Sequence, residues 1–329
     1  MRNRLREFLI ATSQQGCSEN RNGGNMPSTY AHYRMGQEVY RNLTGKPKQI
    51  IEKYKELYDI GLHGPDILFY YKPLFANPVN QVGYAMHDRP GIEFFRQASL
   101  VMQKAENKEA CEAYIYGFCC HFALDVSCHG YIDEKIAESG VSHTEIEVEF
   151  DRKLMLTDGF NPLTHNLTGH IHPTLKNAEV ISPFYKNVTP QQAEQALQGM
   201  ITNKKLLIAP SYFKRFLIYG LLKATGNYKE MHGLLVNYSE NPQCTDSTQM
   251  LMQLYRDAEK LAERLIDEYE DSASGKIPFD KRYGLTFGGK EKMNRWKCAG
   301  KQTAERISLR NGEENGKEIN KKGKKLDFV

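Results

Sequence analysis

The sequence lacks the features that would place it across a membrane or cross-link it. None of its 329 residues belong to an apolar run of about 18 or more, so no transmembrane helix is predicted. Its seven cysteines form no Cys-x-x-Cys pair, which favours reduced, buried thiols that do not bind metal. The apolar patch FLIA near the N-terminus is too short for the core of a signal peptide. We therefore expect a cytoplasmic protein that can make peripheral contact with a membrane.

Charge and composition divide the chain into three parts. Residues 1–25 are polar and end in a Gly/Asn-rich stretch, so we expect a disordered leader. The net charge is +4, but residues 280–329 alone contain 14 lysines and arginines against 7 aspartates and glutamates. We expect a helical domain over residues 26–272 and a basic, flexible tail over 273–329. Such a tail can contact anionic membrane or nucleic acid, although a solvated end without a partner is more common.

The domain is predicted to be all-α, because strand patterns are weak and apolar residues recur at helical spacing. Amphipathic helices are expected at YAHYRMGQEVYRNL, at KPKQIIEKYKELYDIG, at IEFFRQASLVMQKAEN, and around residues 189–203, 205–225 and 245–271. The segment from residue 63 to residue 91 is rich in Pro, Gly and Asn and is predicted to be a long ordered loop. Residues 108–136 are apolar nearly all round, which predicts a central helix.

The predicted central helix contains the stretch CCHFALDVSCHG, with two histidines and an aspartate in a largely apolar setting. His121, Asp125 and His129 are spaced i, i+4, i+8 and lie within roughly 80° of one helix face. The two histidines are about 12 Å apart along the axis, too far for one ion bonded at about 2 Å to take both. A buried, unpaired aspartate costs several kcal/mol, and a metal ion would remove that cost. The pattern predicts two ions, with Asp125 between them.

The next predicted helix supplies a second pair. Ser142 and Glu145 fit a capping box, which puts His143 at the helix start and Glu147 one turn later. This i, i+4 spacing lets two side chains bind one ion. With His129 they give three protein ligands and leave a position for water, as in a catalytic zinc site. Upstream candidates for the remaining ligand positions are His32, Asp66 and His87. Nitrogen and carboxylate ligands of this mix suit zinc best.

These motifs resemble those of the zinc-dependent phospholipase C family, which includes the N-terminal domain of animal glycosylphosphatidylinositol-specific phospholipase D. HFALDVSCHG is similar to the HxxxD helix of that family, and SHTEIE to the HxxxE that follows it. STYAHYRMG, HGPDILFYY and AMHDRPG resemble the segments that supply a histidine, an aspartate and a histidine. The resemblance covers residues 26–160 best. It implies a multi-helix phospholipase C/nuclease-like bundle with a metal cluster in a cleft.

The resemblance also implies two or three zinc ions and a set of ligands. One ion would be held by Asp66, His87, His121 and Asp125, and a second by His129, His143 and Glu147. A third would be held by His32 and a bridging Asp125. The third site of the secreted bacterial members also uses an N-terminal tryptophan, and the only tryptophan of this chain is Trp296. Asp133 and Glu145 are weaker candidates for orienting the ligating histidines.

The expected activity is metal-assisted hydrolysis of a phosphodiester, most readily a phospholipid. The candidate catalytic residues are Asp66, as a ligand or as the base that orients the attacking water, and Glu147. The segment DILFYYKPLF, which begins at Asp66, can form an interfacial surface or can simply pack in the core. Two alternatives stay open: a single-strand nuclease or other phosphodiesterase, and a non-catalytic helical binding module stabilised by metal. Nucleic acid is the less expected substrate because the body of the chain is not basic.

Overall fold

The computed structural model of the chain describes residues 28–73, 75–224, 228 and 232–291. The chain divides into two compact units, Met1–Lys290 and Glu291–Val329, and of the second only Glu291 is described. The predicted leader, residues 1–25, lies outside the described residues, and so does the tail from residue 292 onward. The described part is helical, and its β-type contacts are confined to isolated bridge residues, such as the pair Pro90 and Thr286. The all-α prediction is therefore confirmed.

The described part contains eleven α-helices and five short 3₁₀ helices. The α-helices are α1 (Thr29–Asn42), α2 (Gly45–Lys53), α3 (Lys55–Gly61), α4 (Pro78–His87), α5 (Gly91–Lys104), α6 (Lys108–Ser139), α7 (His143–Thr157), α8 (Leu175–Ile181), α9 (Pro190–Leu207), α10 (Tyr212–Ala224) and α11 (Thr245–Ala273). The 3₁₀ helices are Gly64–Tyr70, Ser182–Phe184, His232–Leu234, Pro242–Cys244 and Lys281–Gly284.

Helix α6 is the central element, as its apolar sequence predicted. It has 32 residues, and its first half is buried on all sides. Helices α3 and α11 pack against it, and α3 comes so close that both helices need glycine at the contact. A Cβ added to Gly117 would lie 2.1 Å from the carbonyl oxygen of Tyr58, and one added to Gly61 would lie 2.2 Å from the carbonyl oxygen of Tyr114. The backbones of α3 and α6 are therefore in direct contact at these two glycines.

Helix α1 is held against α7 by hydrogen bonds to a buried carboxylate of α7. Ser28 precedes α1 but does not cap it with its own side chain. Instead, Asp151 of α7 accepts hydrogen bonds from the backbone amides of Tyr30 and Ala31, at 3.0 and 2.8 Å, and from the Ser28 hydroxyl. A carboxylate at this position satisfies free amides of the first helical turn and balances the helix dipole. The start of α1 is therefore fixed by a residue about 120 positions away in the sequence.

A second contact joins α1 to the C-terminal end of α7. Asp158 accepts two hydrogen bonds from Arg34, at 2.7 and 3.2 Å, and one from the hydroxyl of Tyr30 at 2.7 Å. Partial burial opposes the ionisation of Asp158, but its bonds to Arg34 and Tyr30 outweigh this and lower its pKa. These contacts hold α1 and α7, two of the helices that contribute to the site, in a fixed relation.

The predicted loop over residues 63–91 is wrong in the structure, because it contains the 3₁₀ helix Gly64–Tyr70 and the whole of α4. Asn77 begins α4 through a reciprocal capping box with Asn80, followed by Pro78 at the first helical position, which favours a helix start. The helix expected from residue 46 to 61 is divided at Tyr54, whose φ of −126° and ψ of 44° are not helical. The helix expected over 205–225 is interrupted after Leu207, before Pro210, so that α10 begins only at Tyr212.

The boundary expected at residue 272 also needs correction, because the compact unit continues to Lys290. Tyr283 and Phe287 are 2% and 1% exposed and belong to the main core. The rings of Phe287 and Tyr283 lie 5.2 and 5.3 Å, respectively, from the ring of Phe122 on α6. Residues 273–290 therefore pack with the helical unit.

Candidate metal centre

The eight side chains predicted from the sequence converge in one buried region. They come from five elements: His32 from α1, Asp66 from the 3₁₀ helix, His87 from the last turn of α4, His121, Asp125 and His129 from α6, and His143 and Glu147 from α7. They form three groups, each with ligand atoms within 4.8 Å of one another. The groups are His32, His121 and Asp125; Asp66, His87 and His121; and His129, His143 and Glu147. Their role as metal ligands stays a prediction.

Asp125 stands at the centre of the cluster and is 2% exposed. Its Oδ1 lies 3.3 Å from Nε2 of His32 and 3.8 Å from Nε2 of His129. Its Oδ2 lies 3.1 Å from Nε2 of His121 and 3.9 Å from Nε2 of His87. One carboxylate therefore faces four imidazoles and links neighbouring groups, as the i, i+4, i+8 spacing on α6 predicted.

The other two carboxylates each serve one end of the cluster. Asp66 Oδ1 lies 3.0 Å from Nε2 of His87, and Asp66 Oδ2 lies 3.9 Å from Nδ1 of His121. At the opposite end, Glu147 Oε1 lies 3.2 Å from Nε2 of His143 and 3.5 Å from Nε2 of His129. Two ligand atoms bonded tetrahedrally to one zinc ion at about 2.0–2.1 Å lie roughly 3.3 Å apart. The shortest of these separations therefore match shared coordination.

The unpartnered polar atoms provide the strongest test of whether a metal fits. Among the described residues, eight buried side-chain nitrogens and oxygens make no hydrogen bond of acceptable geometry, and seven of them belong to the predicted ligands. Several of the seven nevertheless lie close to an atom of opposite charge, such as Asp66 Oδ1 at 3.0 Å from Nε2 of His87. These seven are His32 Nδ1, Asp66 Oδ1, His121 Nδ1, His121 Nε2, Asp125 Oδ2, His143 Nε2 and Glu147 Oε2. A buried polar group without a partner costs about 1–3 kcal/mol, so such a concentration calls for an explanation. Bonds to an ion would satisfy many of these atoms, and imidazole nitrogen with carboxylate oxygen is a donor set that suits zinc.

The electrostatics of the cluster also favour a cation. Burial opposes the ionisation of Asp125, yet His121 and His129 hold its pKa well below its usual value. In the same way, burial opposes the ionisation of Glu147, and His143 with His129 lowers its pKa to about 2. Burial would lower the pKa of His129, but the attraction of Asp125 and Glu147 raises it to about 9. The carboxylates therefore keep positive charge among the imidazoles, and a metal ion would compete with those protons.

The cluster is open on one side. The side chains of His87, His129 and His143 are 22%, 15% and 12% exposed, whereas those of His32 and His121 are 3% and 0% exposed. The first three can be reached from solvent, so a substrate would approach the cluster along this edge.

Two weaker predictions about the surroundings of the cluster need correction. Asp133 is 42% exposed and its Oδ2 lies 2.7 Å from Nζ of Lys290, so it does not orient a ligating histidine. Glu145 Oε1 accepts a hydrogen bond from Nδ2 of Asn241 at 2.6 Å and so joins the loop before α11 to α7. Ser142 caps the start of α7, since its hydroxyl accepts a hydrogen bond from the backbone amide of Glu145 at 3.3 Å.

The aromatic segment that begins at Asp66 packs in the core. Residues 67–71 are all buried, with exposed fractions from 0% to 8%. Phe75, at 62%, is the large apolar side chain of the segment that the structure shows exposed. Of the two roles considered for this segment, core packing is the one the structure supports, because the 3₁₀ helix turns these side chains inward.

The structure also reveals residues that the sequence patterns did not single out. His63, at the start of the 3₁₀ helix that carries Asp66, lies 2.7 Å by Nε2 from Nε2 of His170, whose ring stacks on Tyr33 at 3.8 Å. Burial and the neighbouring His170 hold the pKa of His63 well below its usual value.

Lys204 on α9 is a second such residue. Burial lowers its pKa, against the attraction of Asp151, Glu147 and Asp66. The partners are far apart in sequence, so no local spacing could have indicated them.

No helix in the described part of the chain is both long enough and apolar enough to cross a membrane.

Comparison with known protein families identifies a match for this chain. A family model described as zinc dependent phospholipase C matches residues 31–199, which is slightly more than half of the chain and contains all eight predicted ligands. Neither the curated proteins nor the solved structures contain a significant match.

Proposed function

Because the chain belongs to the zinc-dependent phospholipase C family, we propose that it hydrolyses a phosphodiester of phospholipids with the aid of two or three zinc ions. The family supports a phospholipase C-like hydrolase and a phospholipid substrate in general. The observation that carries the proposal for this chain is the set of seven unpartnered, buried ligand atoms in one cluster. In the proposed reaction, water adds across a phosphorus–oxygen bond, giving diacylglycerol and a phosphorylated head group.

The residues of the cluster have separate roles in this proposal. Asp66, His87, His121 and Asp125 hold one ion, His129, His143 and Glu147 hold another, and His32 with Asp125 can hold a third. Bound zinc supplies positive charge that attracts the phosphate oxygens and lowers the pKa of water towards neutrality. Asp66 is 2% exposed, and its Oδ1 lies 3.0 Å from Nε2 of His87. A carboxylate has about four acceptor positions, so Asp66 can bind an ion and also accept a hydrogen bond from the attacking water and take its proton.

Substrate reaches the cluster from the edge formed by His87, His129 and His143. The buried residues 67–71 shield the closed side of the cluster from bulk solvent, which strengthens electrostatic interactions within it. The cytoplasmic location and the membrane contact of the tail stay predictions, and the tail from residue 292 onward lies outside the described residues.

The experiment is a substrate panel with metal-depleted and zinc-reconstituted full-length protein. We expect release of phosphorylated head group from phospholipid vesicles, lost on chelation and restored by zinc. Asp66→Asn and Glu147→Gln should each lower kcat at least 100-fold, whereas the matched surface variant Asp133→Asn should not. Zinc that binds without turnover of any diester would support a metal-stabilised binding module instead. Preferential cleavage of a single-stranded oligonucleotide would support a nuclease.

A further inference from the structure

One face of helix α10 is covered with large apolar side chains that point to solvent. Tyr212, Phe213, Phe216 and Leu217 are 79%, 72%, 72% and 43% exposed. Tyr238, 37% exposed, lies against them with its ring 4.7 Å from that of Tyr212. We call these five residues the aromatic face. Scattered apolar residues are normal on a protein surface, but a contiguous group of this kind marks an interaction site.

The helix separates an inner face from an outer one. At 100° per residue, the four exposed residues of α10 fall within about 140° of its circumference. The buried residues Arg215, Ile218 and Leu222 fall on the opposite side. Ile218 and Leu222 pack with Leu234 and Leu235 in a small core separate from the main one. The exposure of the aromatic face is therefore built into the folding of α10, since its other side is already used.

The aromatic face is held in a fixed geometry. Arg215 donates hydrogen bonds from Nε to the carbonyl oxygen of Ala209 at 2.9 Å and from NH2 to the carbonyl oxygen of Val236. The same guanidinium lies 4.0 Å from the centre of the Tyr238 ring. The hydroxyl of Tyr238 donates to the carbonyl oxygen of Pro210 at 3.1 Å. These bonds position Tyr238 beside the helix, so little ordering is needed before the face can bind.

The charges on α10 itself are of one sign. The helix contains Lys214, Arg215 and Lys223 and neither aspartate nor glutamate, whereas Glu145 and Glu240 line the cleft beside it. Lys223 is exposed and lies on the same side of α10 as Phe216. Aromatic side chains are favoured at the level of lipid head groups, and basic residues beside them are attracted to anionic lipids. The combination fits an anionic membrane surface better than another protein, whose interface would not require an excess of one charge.

The position of the aromatic face relates it to the metal centre. The 3₁₀ helix His232–Leu234, which contributes to the small core, packs on the first turn of α7, where a Cβ on Gly233 would lie 2.9 Å from Cβ of Glu145. A cleft of about 690 Å³ lies between the aromatic face and this turn, lined by Phe216, Tyr238 and Glu145 among others. The same turn begins at His143, which belongs to the accessible edge of the cluster.

We infer that the aromatic face inserts into the head-group region of an anionic phospholipid surface and so holds the metal centre close to its substrate. The importance of this docking for catalysis rests on the proposed function, but the binding itself does not. The test therefore measures binding and not turnover. It uses full-length, zinc-loaded wild-type protein and co-sedimentation with phosphatidylcholine vesicles that contain or lack phosphatidylserine, over a time in which the phospholipid content of the vesicles does not change.

We expect the parent protein to bind vesicles with phosphatidylserine at least tenfold more tightly than neutral vesicles. Phe213→Ser with Phe216→Ser should weaken that binding at least tenfold. The matched control is Phe75→Ser, which removes a phenylalanine that is 62% exposed elsewhere on the surface and should change binding less than twofold. Thermal unfolding of both variants should stay within about 2 °C of the parent, because exposed side chains contribute little to stability.

Several results would overturn the inference. These are no vesicle binding by the parent, binding by the Phe213/Phe216 variant within twofold of the parent, or an equal loss in Phe75→Ser. Equal affinity for the two vesicle types would overturn the preference for anionic lipid. A lipid-free dimer that the Phe213/Phe216 variant converts to monomer would show that the face binds a second copy of the chain. Absence of diesterase activity in the wild-type protein would reject the proposed function and leave the vesicle result to be judged separately.

Discussion

Asp125→Asn tests the central claim about the cluster most directly. Asparagine occupies nearly the same volume as aspartate but lacks its negative charge and is a poor zinc ligand. Asp125 faces four imidazoles at 3.1 to 3.9 Å, so the substitution affects more of the predicted coordination than any other single change. We expect the variant to bind at least one zinc ion fewer per chain than the wild-type protein.

The size of the effect follows from linkage between binding and folding. Each ion present at about 100 times its dissociation constant stabilises the folded state by about 2.7 kcal/mol. For a domain of this size, 1 kcal/mol corresponds to about 2–4 °C in Tm. The loss of one ion should therefore reduce the zinc-induced rise in Tm by about 5–10 °C. The assay is calorimetry of zinc-loaded and chelated protein, with zinc content measured by elemental mass spectrometry.

The comparison uses the difference between the two forms of each protein, which cancels any effect of the substitution on the metal-free fold. Asp133→Asn is the matched control, since Asp133 lies on the same helix, is 42% exposed and pairs with Lys290. It should keep the full zinc-induced rise. If Asp125→Asn retained both the zinc content and the zinc-induced rise of the wild-type protein, the assignment of Asp125 as a shared ligand would be refuted.

Two further predictions concern the framework around the site. Asp158→Asn should lower the free energy of unfolding by about 1 kcal/mol at pH 7. Because the pKa of Asp158 is lowered in the folded state, its contribution to stability is present above about pH 4 and disappears as the pH falls through the lowered pKa. The urea midpoints of the variant and the wild-type protein should therefore converge in acid. Gly117→Ala should cost about 3 kcal/mol, because its Cβ would meet the carbonyl oxygen of Tyr58 at 2.1 Å, and equal stability of Gly117→Ala and wild type would contradict that contact. The control Gly130→Ala, in the same helix with nothing within 4 Å of the added Cβ, should be neutral or slightly stabilising.

The convergence of the candidate ligands could be predicted because the sequence encodes much of their geometry locally. His121, Asp125 and His129 share one face of one helix, and His143 and Glu147 share one turn of the next, so helical periodicity alone groups them. His32, Asp66 and His87 are distant from these residues in the sequence, and only the tertiary structure brings them together. They could be proposed through the resemblance of their flanking motifs to a known family, but spacing alone would not have brought them together.

The errors in the fold have local causes that the periodicity of apolar residues does not capture. The segment that contains α4 has many Pro, Gly and Asn residues, and a composition rule assigns it to a loop. In the structure, the same residue types act at helix starts, where the Asn77 side chain accepts backbone amides and Pro78 takes a position that needs no amide hydrogen. Phe287 was assigned to the tail because the surrounding sequence is basic, and only its packing against α6 shows that it belongs to the core.

The aromatic face could not have been distinguished from a core-facing stripe in the sequence. The segment YFKRFLIYGLL contains apolar residues on nearly every side, and burial is decided by which side meets the small core. The bonds from Arg215 to two backbone carbonyls turn a charged residue inward and the two phenylalanines outward. Periodicity alone would have predicted the opposite orientation of Arg215.

The capping of α1 by Asp151 has a consequence for dissecting the protein. A fragment ending at Glu147 would contain every predicted ligand and yet lack the carboxylate that seats the first helix. In that fragment, His32 would lie on a helix whose first backbone amides, those of Tyr30 and Ala31, no longer have the Asp151 carboxylate as acceptor. A fragment with all the predicted ligands would therefore still lack a contact that positions one of them, because the geometry of the centre depends on the folding of the whole helical unit.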